Sequence, residues 1–214
     1  MSADQTLETL WQVDGQKQID LAFAMIRSGK PCVIEALLEI LEQPDEVNPD
    51  LISAIHFGVI EGEPATVGPV VNYLLRSPLS RAGRDCAYLL GEIALRQQHQ
   101  RDTRIVLALV AAIQASLSAN TWAAPEAIGA LRECARSGPV PDADAVLLAL
   151  LTIARQEPEP YSWVLRTVIE ILFINRGQDL LPLLKAQVEE LRPDHNLAII
   201  ILSFLDGADA THTS

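Results

Sequence analysis

Residues 80–97 read SRAGRDCAYLLGEIALRQ, and their pattern decides the architecture. Cys86, Leu89, Leu90 and Ile93 lie at offsets of 3, 4 and 7, the spacing of one stripe on an α-helix. Arg84, Asp85, Tyr88 and Glu92 fall on another face, while Ala87, Gly91 and Ala94 are small enough to let a neighbouring helix come close. The same outline returns at 120–138 (NTWAAPEAIGALRECARSG) and at 159–177 (EPYSWVLRTVIEILFINRG). Aligning Gly91 with Arg132 and Phe173 gives two equal steps of 41 residues. A helix-pair period near forty is the signature of an α-solenoid. The expected fold is therefore all-α, about five to six antiparallel helix pairs stacked as a single domain over 1–214.

Outward from this stretch, 64–77 (PATVGPVVNYLLRS) is its preceding partner, with Pro69 expected to kink that helix or delay its start. Further upstream, Pro31 sits at the first turn of a helix reaching about Glu42, whose apolar stripe is Val33, Ile34, Leu37, Leu38 and Leu41. QPDEVNPD (43–50) is a turn that offers Asn48 or Asp50 as a cap, and LISAIHFGVIEG then runs to Gly62. Residues 3–13 and 16–29 form a capping pair within 1–30, with polar outer faces and Ser28-Gly29 as the stop. Downstream, the helix 101–116 ends in a turn at Leu117 to Ala119. SGPVPD (137–142) breaks the chain before 142–156, and EPEP (157–160) leads into 161–176. The last pair is 178–191 and 194–206, and the small polar residues 207–214 are expected to be a disordered tail. Connections this short suit antiparallel helix neighbours and leave no linker that would divide the chain.

Of the 214 residues 49% are hydrophobic and 5% aromatic, which excludes general disorder and suits close-packed helices. The net charge of −12 is uneven. Residues 1–62 hold eleven acids against three bases, 63–138 six against eight, and 139–214 eleven against five. A chain of this sign repels a polyanion, so nucleic acid is excluded as a general partner. All eight bases of the middle segment are arginines, which either pair with nearby acids or receive a local carboxylate or phosphate. Three cysteines (Cys32, Cys86, Cys134) without C-x-x-C spacing read as reduced core residues. MSADQTLETL lacks the basic flank and apolar run of a signal peptide, and NLAIIILSFL at 196–205 is too short to span a bilayer. A cytoplasmic protein without membrane insertion is expected.

The spacings that carry chemistry are missing: no Gly-rich phosphate loop, no G-x-S-x-G and no H-E-x-x-H. Among His56, His99, His195 and His212, His99 has Asp102 at i+3 but no third ligand nearby. His56 lies inside an apolar helix and reads as a structural histidine. No catalytic residue, metal or cofactor is expected.

CAYLLGEIA, the centre of the opening stretch, resembles the second helix of a HEAT repeat, and the resemblance covers about 31–207. Leu90-Gly91 keeps the family-like Leu-Gly. The family's Val-Arg near the start of the helix is replaced by Ala82-Gly83, with Arg84 one place later. In the fourth repeat Val164 and Leu165 are likewise followed by Arg166. The resemblance implies an adaptor or assembly factor that binds another protein along the face of its second helices. A second implication, through the HEAT-like bilin lyases, is a maturation enzyme or lyase subunit acting on a protein-bound cofactor. The HEAT-like DNA glycosylases need a basic groove that this charge balance opposes.

The 41-residue step makes Arg81, Trp122 and Trp163 equivalent at the start of three second helices, with Arg84 equivalent to Arg166 and Tyr88 to Glu170. Equivalent positions in a stacked array form a row. Trp, Tyr and Arg in a row have the composition of an interface centre. These seven residues are the candidate partner-binding site, weighed against a reading in which each Trp covers the turn of its own helix pair. The sequence leaves the oligomeric state open.

Overall fold

Ser80 starts the central helix. Its hydroxyl accepts the Gly83 N–H at 3.0 Å, satisfying one of the donors that a helix N-terminus leaves open. The backbone of the preceding turn passes so close that a Cβ on Gly83 would lie 2.0 Å from the Ser77 carbonyl oxygen. A larger residue at this position has no room. From there the helix runs over Arg81–Arg96, and Cys86, Leu89, Leu90 and Ile93 are all fully buried. Each large apolar side chain of that stripe contributes roughly 1.5–3 kcal/mol of transfer free energy before entropy is subtracted.

The structure is a computed structural model. It describes residues 3–43, 45, 47–97, 102–119, 124–155 and 162–210, with side chains between Leu7 and Asp206. Among the described residues there is no strand. The helices are α1 (Ala3–Trp11), α2 (Gly15–Arg27), α3 (Pro31–Glu39), α4 (Pro49–Glu61), α5 (Val67–Arg76) and α6 (Arg81–Arg96), followed by α7 (Thr103–Ser118), α8 (Pro125–Arg136), α9 (Asp144–Ala154), α10 (Ser162–Arg176), α11 (Leu181–Glu190) and α12 (Asn196–Ala210). Short 3₁₀ turns at Ile40–Glu42, Pro141–Ala143 and Gly177–Leu180 extend α3 and introduce α9 and α11.

Packing follows chain order with a step of two. Each even-numbered helix touches the next even-numbered one, from α2 on α4 to α10 on α12. The odd-numbered helices do the same from α1 on α3 to α7 on α9, and α1–α2, α3–α4, α5–α6, α7–α8, α9–α10 and α11–α12 pack within their pairs. The α6–α8 contact is the most extensive, and Gly91 is the reason. A Cβ there would lie 2.9 Å from the Cα of Ala130 on α8, so the two backbones meet where the side chain is absent. Buried residues from Leu10 to Leu205 form one continuous apolar cluster.

Polar ties fix the turns. Asn48 accepts the Asp50 N–H at 2.9 Å and caps α4. Pro69 sits in the first turn of α5, so it sets the start of that helix rather than bending its middle. Gly29, at φ 65, ends α2 in the left-handed conformation that glycine adopts without strain. The Tyr73 hydroxyl donates to Glu42 at 3.1 Å, and Arg76 stacks 5.0 Å from the Tyr73 ring centre. Asn175, near the end of α10, accepts the Val140 N–H at 2.6 Å and donates to the Val140 carbonyl at 3.1 Å and to Asp144 at 2.6 Å. Arg176 adds an ion pair to Asp144 at 2.7 Å.

Three expectations are corrected here. Helix α7 continues through Leu117 to Ser118, where a turn was expected. Helix α12 extends to Ala210, so residues 207–210 are helical rather than part of a disordered tail; residues 211–214 lie outside the described residues. Cys86 and Cys134 are buried, but Cys32 is exposed. On α3 it lies nearly opposite Ile34, because successive helical residues turn by about 100°.

Candidate functional site

The described members of the expected row fall on α6 and α10, and the structure separates them into exposed and engaged residues. Trp163, in the first turn of α10, is 53% exposed, and Arg166 beyond it is exposed and makes no ion pair among the described residues. Trp122 lies outside the described residues. Arg84 is also exposed without an ion pair among the described residues, whereas Arg81 reaches back to Asp45 in the α3–α4 turn at 3.4 Å. Such an exposed pair contributes about 0–1 kcal/mol. Glu170 is held by Arg132 of α8 at 3.0 Å, tying α8 to α10. Several of the middle arginines thus meet local acids: Arg76 meets Glu35 and Glu39, Arg104 meets Asp102, and Arg136 meets Glu133.

Tyr88, 48% exposed on α6, has its ring centre 6.3 Å from that of His56 on α4. Below it lies a mixed set of charges across three helices. Asp85 is within electrostatic reach of His56, Arg81, Arg84 and Glu126 of α8. Burial pushes the Asp85 carboxyl above its usual range, with Glu126 adding to the rise and His56 and the two arginines opposing it. Burial lowers the His56 imidazole, and Asp85 pulls it back up. His56 Nε2 and Glu126 Oε2 are buried without a hydrogen-bond partner. Burial and the Glu92 charge both raise the Tyr88 phenol.

Between Tyr88 and Glu170 stands Gly129, the residue one 41-step from each. A Cβ added there would meet no atom within 4 Å. The surface of α8 is therefore open at Gly129. The 41-residue step sets Tyr88 and Glu170 in the row, while residue type gives no weight to Gly129 and leaves His56 as a single histidine. The same step relates Tyr88 to Gly129 and Asp85 to Glu126, whereas His56 joins them by contact from α4.

The site offers aromatic surface, two exposed guanidinium groups and a half-buried charged floor. Among the described residues it holds no nucleophile beside a base. The buried Cys86 thiol is pushed far above its ordinary pKa by burial and by nearby carboxylates, which keeps it protonated and unreactive. Among the described residues no three His, Cys, Asp or Glu side chains are placed to hold a metal ion, and no helix is long and apolar enough to cross a membrane. The chain matches no protein-family profile, no curated protein and no solved structure.

Proposed function

We propose that the chain is an α-solenoid resembling the HEAT repeats, and that it is a protein-binding scaffold or assembly factor gripping one partner along α6, α8 and α10. The step-of-two packing supports the first part: even-numbered helices in contact form one rank and odd-numbered helices another, as in stacked helix pairs. The observation that carries the second part is Trp163, an indole left half in water on an ordered helix, one turn from the exposed Arg166. Trp and Arg are the side chains that most often dominate interface energetics, because each combines a large contact area with a polar handle. The open surface at Gly129 and the half-exposed Tyr88 extend that area across three helices. Three cysteines without a disulfide suit a reducing, cytoplasmic setting.

The test is capture of partners from the native host with the wild-type chain and with a Trp163→Ala/Arg166→Ala variant, followed by mass spectrometry. The proposal expects one protein to be captured by the wild type and lost from the variant, with the melting temperature unchanged. Equal capture by both would overturn it. A tetrapyrrole travelling with the captured material and changing its absorbance would favour the lyase-subunit reading instead.

A further inference from the structure

The last helix carries an apolar stripe that no described residue covers. On α12, Leu197, Ala198, Ile201 and Leu205 are buried against the rest of the chain, and the Phe204 ring packs edge-on against Phe173 of α10 at 5.3 Å. The opposite side presents Ile199 at 52% exposure and Leu202 at 42%, together with exposed Ser203 and Asp206. His195 immediately precedes the helix. Its Nδ1 accepts the Leu197 N–H at 3.2 Å, which caps α12 and leaves Nε2 as the protonated nitrogen of the neutral ring.

His195, Ile199, Leu202 and Asp206 follow one another at intervals of 4, 3 and 4 residues. That is the rhythm of a coiled-coil seam: at about 100° per residue Ile199, Leu202 and Asp206 of α12 fall within a sector of roughly 60°, and His195 caps the N-terminal end of the helix. The order is also palindromic. A two-fold axis passing between Ile200 and Ile201 sets Ile199 against Leu202 of a second copy and His195 against Asp206 of that copy. Each contact occurs twice, as an isologous interface requires. The centre is apolar, while one end supplies a hydrogen-bond donor and the other an acceptor. The patch is complementary to itself read backwards.

We propose that the chain self-associates as a two-fold dimer through antiparallel pairing of α12. A seam of three turns is small beside the roughly 800 Å² per partner that stable interfaces bury. The dimer therefore belongs to the weak class and forms at micromolar concentrations and above. The seam uses residues of α12 and its cap His195 alone, none of them in the proposed partner face, so the two proposals are tested by different variants.

Sedimentation velocity of the full chain from micromolar to sub-millimolar concentration should show the weight-average mass rising from 23.3 kDa toward twice that value. Ile199→Asp should raise the dimer dissociation constant about tenfold or more without altering the helical circular dichroism, since the side chain it replaces is exposed. His195→Asp keeps a capping side chain but faces Asp206 of the second copy with a like charge, so it should weaken the dimer. Adding Asp206→His to it should restore association, because in the antiparallel pair each new Asp meets a new His. A mass that stays at 23.3 kDa throughout overturns the proposal. So does a dimer indifferent to Ile199→Asp, or a charge swap that fails to restore what His195→Asp removes.

Discussion

Gly91 and Gly129 lie on adjacent helices and illustrate opposite uses of a missing side chain. At Gly91 a Cβ would press on the Ala130 backbone at 2.9 Å, and backbone cannot rotate away. Gly91→Val should therefore cost about 1–3 kcal/mol by forcing α6 from α8. Gly129 sits inside a helix, and a methyl group placed on its Cα would have nothing within 4 Å. Gly129→Ala should raise stability by about 0.5–1 kcal/mol through helix propensity alone. Urea denaturation of the two variants checks both signs. His56 supplies a pH dependence. Its folded pKa is held below 6.5 by burial, so the unfolded chain binds a proton more readily. Stability contributed by the neutral ring is present above pH 6.5 and is lost as pH falls through that value toward the folded pKa. Asp85 opposes this, because its raised pKa lets acidification relieve the cost of burying a carboxylate. An NMR titration of His56 should give a midpoint below 6.5, and a His56→Gln variant should lose less stability on acidification. A midpoint at or above 6.5 would mean that attraction to Asp85 outweighs burial.

At the scale of the helix, the ends decide more than the middles. Asn175 satisfies both backbone groups of Val140 and reaches Asp144, so one amide joins the end of α10 to the start of α9. Asn175→Ala leaves the part-buried Val140 N–H and carbonyl without this partner and should cost about 1–3 kcal/mol. Faster hydrogen exchange at the Val140 amide is the direct readout, and an unchanged rate would show that the latch is redundant. Helix existence was legible in the sequence because the stripe of Cys86, Leu89, Leu90 and Ile93 recurs with the helical period. Helix ends were less so. Leu117 and Ser118 have adequate helix propensity and nothing after them forces a stop before Ala119, so α7 runs on. Likewise GADA at 207–210 has the composition of a tail, yet Gly-Ala-Asp-Ala can continue a helix already nucleated by the preceding turns of α12. Asn175 itself was invisible, since its partner lies 35 positions away and no local pattern announces it.

For the molecule as a whole, contacts between helices one and two places apart in the chain mean that each end has a neighbour on one side only. Protection against hydrogen exchange should therefore peak in α6–α8, where packing is most extensive, and fall toward α1 and α12. Uniform protection along the chain would contradict this. The candidate face was partly legible: a fixed 41-residue step related Arg84 and Tyr88 on α6 to Arg166 and Glu170 on α10. What the step could not give was engagement. Whether an arginine stands free depends on acids from other turns, as Asp45 does for Arg81 and as Glu170 does for Arg132. The cysteines, finally, make the chain its own reporter. Cys86 and Cys134 are sealed in the core, while Cys32 stands in solvent on α3, a helix of the opposite rank from the Trp163 face. A maleimide dye added to the unaltered protein should attach at one position, away from both proposed contact surfaces. Its fluorescence anisotropy would then follow complex formation as an increase in tumbling time, with no engineered handle on the chain.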